Sequence, residues 1–302
     1  MTVQPRPSTP TAGPLDALLP AEMARKAEDT GVRKARADAT SVFVLATLAG
    51  AFIALGAIFS LTAMAGSMTV TDAAGGITHV ALPYGVTRLL GGLAFSLGLI
   101  LVVIAGAELF TGNVLLVMAW ASRRITMPAV LRNWAIVFAG NLVGSLGIVA
   151  LAFGAGWYRT GGGAVGLAAL VLAQGKVEHT FLEALAGGIL CNALVCLAVW
   201  LTYSARTTTD RILAIVPPIA AFVAAGFEHS VANMFFLPMA MAIRLFAPAS
   251  FWTATGASAA SYAEVDLGAM VANLVPVTIG NIIGGAAIVA GVYWFVYLRK
   301  AA

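Results

Sequence analysis

Two stretches decide how this chain is read: AGAELFTGNVLL, Ala105 to Leu116, and AGFEHSVANMFF, Ala225 to Phe236. Each has Ala-Gly, a Glu two residues after the Gly, an Asn five residues beyond the Glu, and then an apolar run. Each lies inside a long hydrophobic segment, where a carboxylate is unfavourable and marks a site with a task. The repeated pattern predicts two equivalent breaks in two membrane helices. Gly106 and Gly226 would permit the turns, and Glu108 and Glu228 would accept from backbone N–H groups that the breaks free. Asn113 and Asn233 would supply amide bonds where the next half-helix begins.

The surroundings agree. Of 302 residues, 60% are hydrophobic and 10% charged, against about 25% charged in a soluble domain. Windows of about 20 apolar residues, enough to cross a bilayer, fall at 41–66, 89–120, 132–156, 181–203, 212–246 and 272–298. The expected fold is therefore an all-α membrane protein of six spans, the second and fifth broken. Residues 1–40 differ: Pro-rich STPTAGP and charged AEMARKAEDTGVRKARAD lack the apolar core of a signal peptide. They read as a cytoplasmic tail with a short amphipathic helix at the membrane surface, ahead of a transmembrane domain over 41–302. Thirteen of the 17 Lys and Arg residues then fall on the side that holds both termini, which makes that side the cytoplasmic one. The net charge of +4 thus reports topology, and no nucleic-acid partner is implied. Five of six Trp (120, 134, 157, 200 and 294) lie near span ends, where interfacial indoles belong.

The doubling extends further. NWAIVFAGNLVGS (Asn133 to Ser145) matches NLVPVTIGNIIGG (Asn273 to Gly285), and AGAFIAL (Ala49 to Leu55) matches AGGILCN (Ala186 to Asn192) more faintly. Repeat one covers about 41–156 and repeat two about 181–298. Three spans per half is an odd number, so the halves enter the membrane from opposite sides. Inverted repeats with breaks at equivalent positions place a permeation site near the midplane, because irregular backbone at that depth must be buried in protein or line a wet path. The small residues of GNLVGS and GNIIGG are equally consistent with close helix packing.

Chemistry-bearing residues are few. His79 and His179 lie in outer loops and read as solvated, whereas His229 follows Glu228 at the second break. Cys191 and Cys196 sit in one apolar span as small packing residues. EHSVAN is not H-E-x-x-H, and no nucleophilic triad, metal set or cofactor motif is present, so an enzyme is unsupported. A neutral-solute channel of the aquaporin kind would need Asn-Pro-Ala at both breaks, where this chain has GNV and ANM. A scaffold or sensor whose charged tail binds a cytoplasmic partner would have no need for Glu and His at matched breaks.

AGAELFTGN, KVEHTFLEALAGGILCNALVCLAVW, GFEHSVANMFFLPM and NLVPVTIGNIIGG resemble the signature segments of the formate–nitrite transporter family, and LLPAEMARKAEDTGVRKA resembles its formate-channel branch. The resemblance runs from about Leu18 to the C-terminus. It implies an aquaporin-like protomer assembled as a homopentamer in the inner membrane, each protomer carrying small monovalent anions, formate first, with nitrite or hydrosulfide as alternatives. Residue by residue, Phe95, Leu99 and Phe222 match the outer constriction, and Phe110 and Val195 the inner one. His229 matches the central histidine and Thr111 its hydroxyl partner. Asn192, Glu228 and Asn281 match polar groups of the chamber, and Lys176 the outer-vestibule lysine.

A bare carboxylate entering an apolar slit meets a large desolvation penalty, so a proton supplied inside would ease passage. A histidine near pKa ~6.5 lies about 2.5 units above a simple carboxylic acid. Desolvation penalises charge on either partner and narrows that gap. The expectation is that Lys176 recruits the anion, that Thr111, Asn281 and the break N–H groups orient it, and that His229 donates or shares a proton. Glu228 and Asn192 would hold the geometry.

Overall fold

The structure is a computed structural model that describes residues 17–71 and 77–300, with the side chains of 68–79 outside the described set. The Pro-rich stretch, Arg6 and the His79 side chain therefore lie outside the described residues. In chain order, α1 (Pro20–Arg36) precedes the first span, α2 (Ala39–Met64). A short antiparallel hairpin of β1 (Met68–Thr71) and β2 (Ile77–Val80), with Met68 opposite Val80, leads into the second span. That span is α3 (Tyr84–Ala105), α4 (Phe110–Asn113), a 3-10 turn (Val114–Leu116) and α5 (Val117–Ala121). The third span is α6 (Met127–Gly154). The second half follows the same plan with α7 (Ala164–Val177), the span α8 (Phe181–Ser204), and the broken span α9 (Thr208–Ala225) and α10 (Ser230–Phe246). After α11 (Ala249–Thr255), the last span is α12 (Leu267–Ile283), a π-helical stretch Gly284–Gly291 and α13 (Val292–Tyr297). Six helices among the described residues are long and apolar enough to span. In lipid a backbone must satisfy its own polar groups, and helices do so.

Polar side chains set where spans begin. Asp38 caps α2 by accepting from the Ser41 N–H at 2.9 Å, a bond that holds its carboxyl below the usual carboxylate range. Thr180 and Glu183 form a capping box at α8, and Thr207 with Asp210 does the same at α9.

Close packing joins each half. A Cβ on Gly144 of α6 would overlap the carbonyl oxygen of Thr47 in α2, and one on Gly284 after α12 would overlap that of Ile189 in α8. Thr47 and Ile189 are 142 residues apart and Gly144 and Gly284 are 140 apart, so GNLVGS and GNIIGG are packing segments as well as repeats. The same register corrects one alignment. Glu108 N–H bonds Leu45 O and Glu228 N–H bonds Gly187 O, both at 3.2 Å, so the first spans of the halves correspond at 142 residues. Ala49–Leu55 therefore does not match Ala186–Asn192, whose likeness is the recurrence of small residues in any closely packed span.

Two helices depart from the six-window reading. α7 has 14 residues, too few to cross. α1 is no surface tail: it buries Met23, Ala24, Ala27, Gly31, Val32 and Ala35 against α5, α8 and α13. Its polar side holds Glu28 and Asp29, which pair with Arg124 at 3.1 and 2.6 Å. At the centre, α10 is buried without interruption from Ser230 to Ala240, while Gly226 at the second break is exposed to a cavity.

Candidate functional site

Each break opens at a glycine in the left-handed region, Gly106 at φ 79° and Gly226 at φ 77°, where a Cβ is unfavourable. The freed backbone groups go to one asparagine per half. Asn141 accepts from Phe110 N–H at 2.9 Å and donates to Ala46 O and Glu108 O at 2.7 and 2.9 Å. Asn281 accepts from Ser230 N–H at 2.9 Å and donates to Gly188 O and Glu228 O at 2.8 and 2.9 Å. Asn281 was expected to orient an anion, but its amide is committed to the backbone.

The acids do not take backbone N–H groups either. Glu108 Oε2 accepts from Asn113 Nδ2 at 2.6 Å and Lys34 Nζ at 2.9 Å. Glu228 accepts from Asn233 Nδ2 and Lys176 Nζ, both at 2.7 Å. Asn113 and Asn233 in turn donate to Asn133 and Asn273 at 2.9 and 2.7 Å. Those residues donate to the carbonyls of Lys34 and Lys176 at 3.4 and 3.0 Å. Each half thus builds one closed Lys–Glu–Asn–Asn ring, and both lysines come from the helices outside the six windows. Lys34, Asn133, Asn141 and Asn273 were not foreseen as site residues. A signal for Lys34 exists: it stands four residues before the α2 cap Asp38, as Lys176 stands four before the α8 cap Thr180.

Two cavities flank the breaks. One of about 290 Å³ is lined by Arg88, Phe95, Lys176, Phe222, Glu228 and His229 among others. The second, of about 430 Å³, is lined by Arg33, Lys34, Leu99, Gly106, Glu108 and Asn113 among others. Phe95, Phe222 and His229 form an aromatic septum at one wall of the first cavity. Phe95 meets Phe222 edge to face at 5.6 Å, and Phe222 stacks on the His229 ring at 5.8 Å. Leu99, expected beside Phe95, lines the second cavity, one turn further along α3. Phe110 and Val195 are buried and line neither cavity. Phe110 packs edge-on against Trp134 and Phe138.

His229 and Thr111, one from each break, meet at 3.0 Å between Nε2 and Oγ1. His229 also caps α10, its Nδ1 accepting from Ala232 N–H at 3.0 Å. A backbone N–H can only donate, so Nδ1 carries no hydrogen, the ring is neutral, and Nε2–H donates to Thr111. The hydroxyl hydrogen of Thr111 is then free for another acceptor. Asn192 ties the halves together, donating to Thr111 O and Asn281 O at 3.2 and 2.6 Å. Its Oδ1 is buried without a partner. Cys191 and Cys196 are buried free thiols. His179 is half-exposed, 3.7 Å from Glu228.

Comparison with known proteins places this geometry. The formate/nitrite transporter family matches residues 21–295. The chain is 48% identical to the formate channel FocA of Escherichia coli strain K12, over 95% of this chain and 97% of that one. It is 45% identical to the formate channel FocA of Haemophilus influenzae, over 89% and 91%. A solved pentameric formate channel with formate bound superposes with a TM-score of 0.79 at 47% identity, over 86% of this chain and 98% of that one. The paired breaks, the bridging His–Thr contact and the match over nearly the whole chain lead to one conclusion: this multi-pass membrane protein belongs to the formate/nitrite transporter family.

Proposed function

We propose that the chain carries small monovalent anions, formate first, across the cytoplasmic membrane through a pore in each protomer of a homopentamer, with both termini in the cytoplasm. The contact between His229 and Thr111 carries this reading. It sets a polarised hydroxyl beside the aromatic septum at the point where the two halves meet.

An anion that reaches Phe95 and Phe222 finds no hydrogen-bond donor on either ring, and a bare carboxylate-sized ion in low dielectric is unstable by several kcal/mol. Thr111 offers the donor. Its oxygen takes the His229 Nε2–H bond, and its own hydrogen points the pair's donating capacity at the substrate. While His229 caps Ala232, the ring shares its proton through Thr111. A second proton must land on Nδ1, which turns that acceptor into a donor facing the Ala232 N–H and opens the cap. Nε2 then gives its proton to the carboxylate, which leaves the neutral ring with its hydrogen on Nδ1, and formic acid crosses; loss of that hydrogen to solvent as Nε2 takes up another closes the cap again. Protonation of the ring thereby releases one helix cap before the anion takes its proton.

Uptake of formate, nitrite and hydrosulfide, each presented alone to proteoliposomes across a set pH gradient, tests the reading. Formate uptake that rises with an inward proton gradient, and a His229→Asn variant that conducts without that dependence, are the expected results. Nitrite or hydrosulfide moving in place of formate would reassign the substrate. Unchanged proton dependence in His229→Asn would remove the ring from the donor role.

A further inference from the structure

Lys176 and Glu228 line the outer cavity together, yet at 2.7 Å they form one buried pair with side chains 10% and 3% exposed. A pair of opposite charges has no net charge, and its field falls off faster than that of a single ion. His179 stands against the same carboxylate and adds charge only when protonated. Arg88 differs from all of these. It lines the same cavity and makes no ion pair among the described residues. Its Nη2 donates to Val223 O at 2.5 Å and its Nη1 to Met64 Sδ at 3.9 Å, while Nε is buried without a partner. Neither of these partners is an ionised side chain, and a guanidinium stays charged at any physiological pH.

Its position fits an approach path. Arg88 precedes Phe95 on α3 by seven residues, two turns and about 10 Å of rise, so both stand on one face, the charge outside the septum. Val223 belongs to the last turn of α9; its carbonyl also accepts from Gly226 N–H at 3.1 Å, and a helix C-terminus carries about half a negative charge. Left bare, that helix end would repel an anion at the mouth.

We propose that Arg88 recruits the anion to the outer cavity and neutralises the α9 terminus, while Lys176 locks Glu228 and with it the second break. The proposal rests on the transport reading above. It makes Arg88 the source of selectivity for a negatively charged solute at this mouth.

The test is initial formate uptake against concentration in proteoliposomes at fixed pH without a gradient, at low and high ionic strength, for the wild type, Arg88→Gln and Arg88→Lys. Arg88→Gln should raise the half-saturating concentration about three- to tenfold at low salt, an effect that screening removes at high salt. Its maximal rate should stay within about twofold, because the septum is untouched. Arg88→Lys keeps the charge and should stay near the wild type, and its oligomer in detergent reports folding. The wild-type half-saturating concentration should itself rise with salt. An unchanged value in Arg88→Gln, or no salt dependence in the wild type, would overturn the proposal. Arg88→Lys as impaired as Arg88→Gln would do so too, by assigning the residue to capping alone. Wild-type protein that takes up no formate at all overturns the transport reading, a result visible before any variant is compared.

Discussion

Two glutamates inside the membrane are explained here by what each one receives. Glu228 has a lysine and an amide on its oxygens, so its charge is matched within the fold. Removing one partner of such a buried pair destabilises by about 3–5 kcal/mol, because the other charge is left alone. Glu228→Gln should therefore lower the melting temperature of the purified protein sharply, and adding Lys176→Met to it should restore most of the loss. A double variant as unstable as the single one would mean that the pair does more than balance its own charges. The acids themselves could be read from the sequence, since Glu in a long apolar run stands out. Their partners could not, because pairing across 52 or 74 residues leaves no periodic trace. Lys34 was further hidden by its neighbours, one cation in a charged stretch that reads as solvated.

At the scale of elements, the breaks hold because a single asparagine from the third span of each half meets one donor and one acceptor that the break exposes, and ties them to a carbonyl of that half's first span. Asn141→Leu and Asn281→Leu would each strand a backbone N–H and a backbone carbonyl of the break away from water. Each should cost about 3 kcal/mol or more, seen as loss of the folded oligomer in detergent, and the two should be alike because their bonds are alike. A mild effect at either position would show that water enters that break. Gly226→Ala should cost about 1 kcal/mol in the same melt, since it places a Cβ at φ 77°. The spans and the breaks were legible, the former from apolar length and the latter from the doubled A-G-x-E. α7 was not, because 14 apolar residues fall short of a crossing. α1 was legible as an amphipathic helix but not as a buried one, because a face of mostly small residues beside many charges reads equally well as lying on a surface. The second asparagine motif was seen as a repeat, but its work as a backbone cap emerges only when α6 and α12 are laid beside the breaks.

Across the whole molecule, the frame is nearly two-fold and the chemistry is not. Lysine, glutamate and three asparagines recur in both halves with the same ring of bonds, except that Lys34 also donates to Asn113 Oδ1 at 2.8 Å while Asn233 Oδ1 has no partner. Yet His229 corresponds to Leu109, Thr111 to Val231, and Asn192 to Gly50. The residues that contact one another at the septum are those at which the halves differ, which is why the repeats point to the frame and to His229 beside Glu228, while Thr111 and Asn192 enter only with the family resemblance. His229 and Thr111 come from opposite halves, so their bond also joins the repeats. If the hydroxyl works through the ring, Thr111→Val and His229→Asn should each lower proton-dependent formate uptake. The double variant should then lose little more than the worse single one, because groups acting through one bond are not additive. Full additivity in that cycle would separate the two residues into independent roles, and the hydroxyl would then act on the anion without help from the histidine.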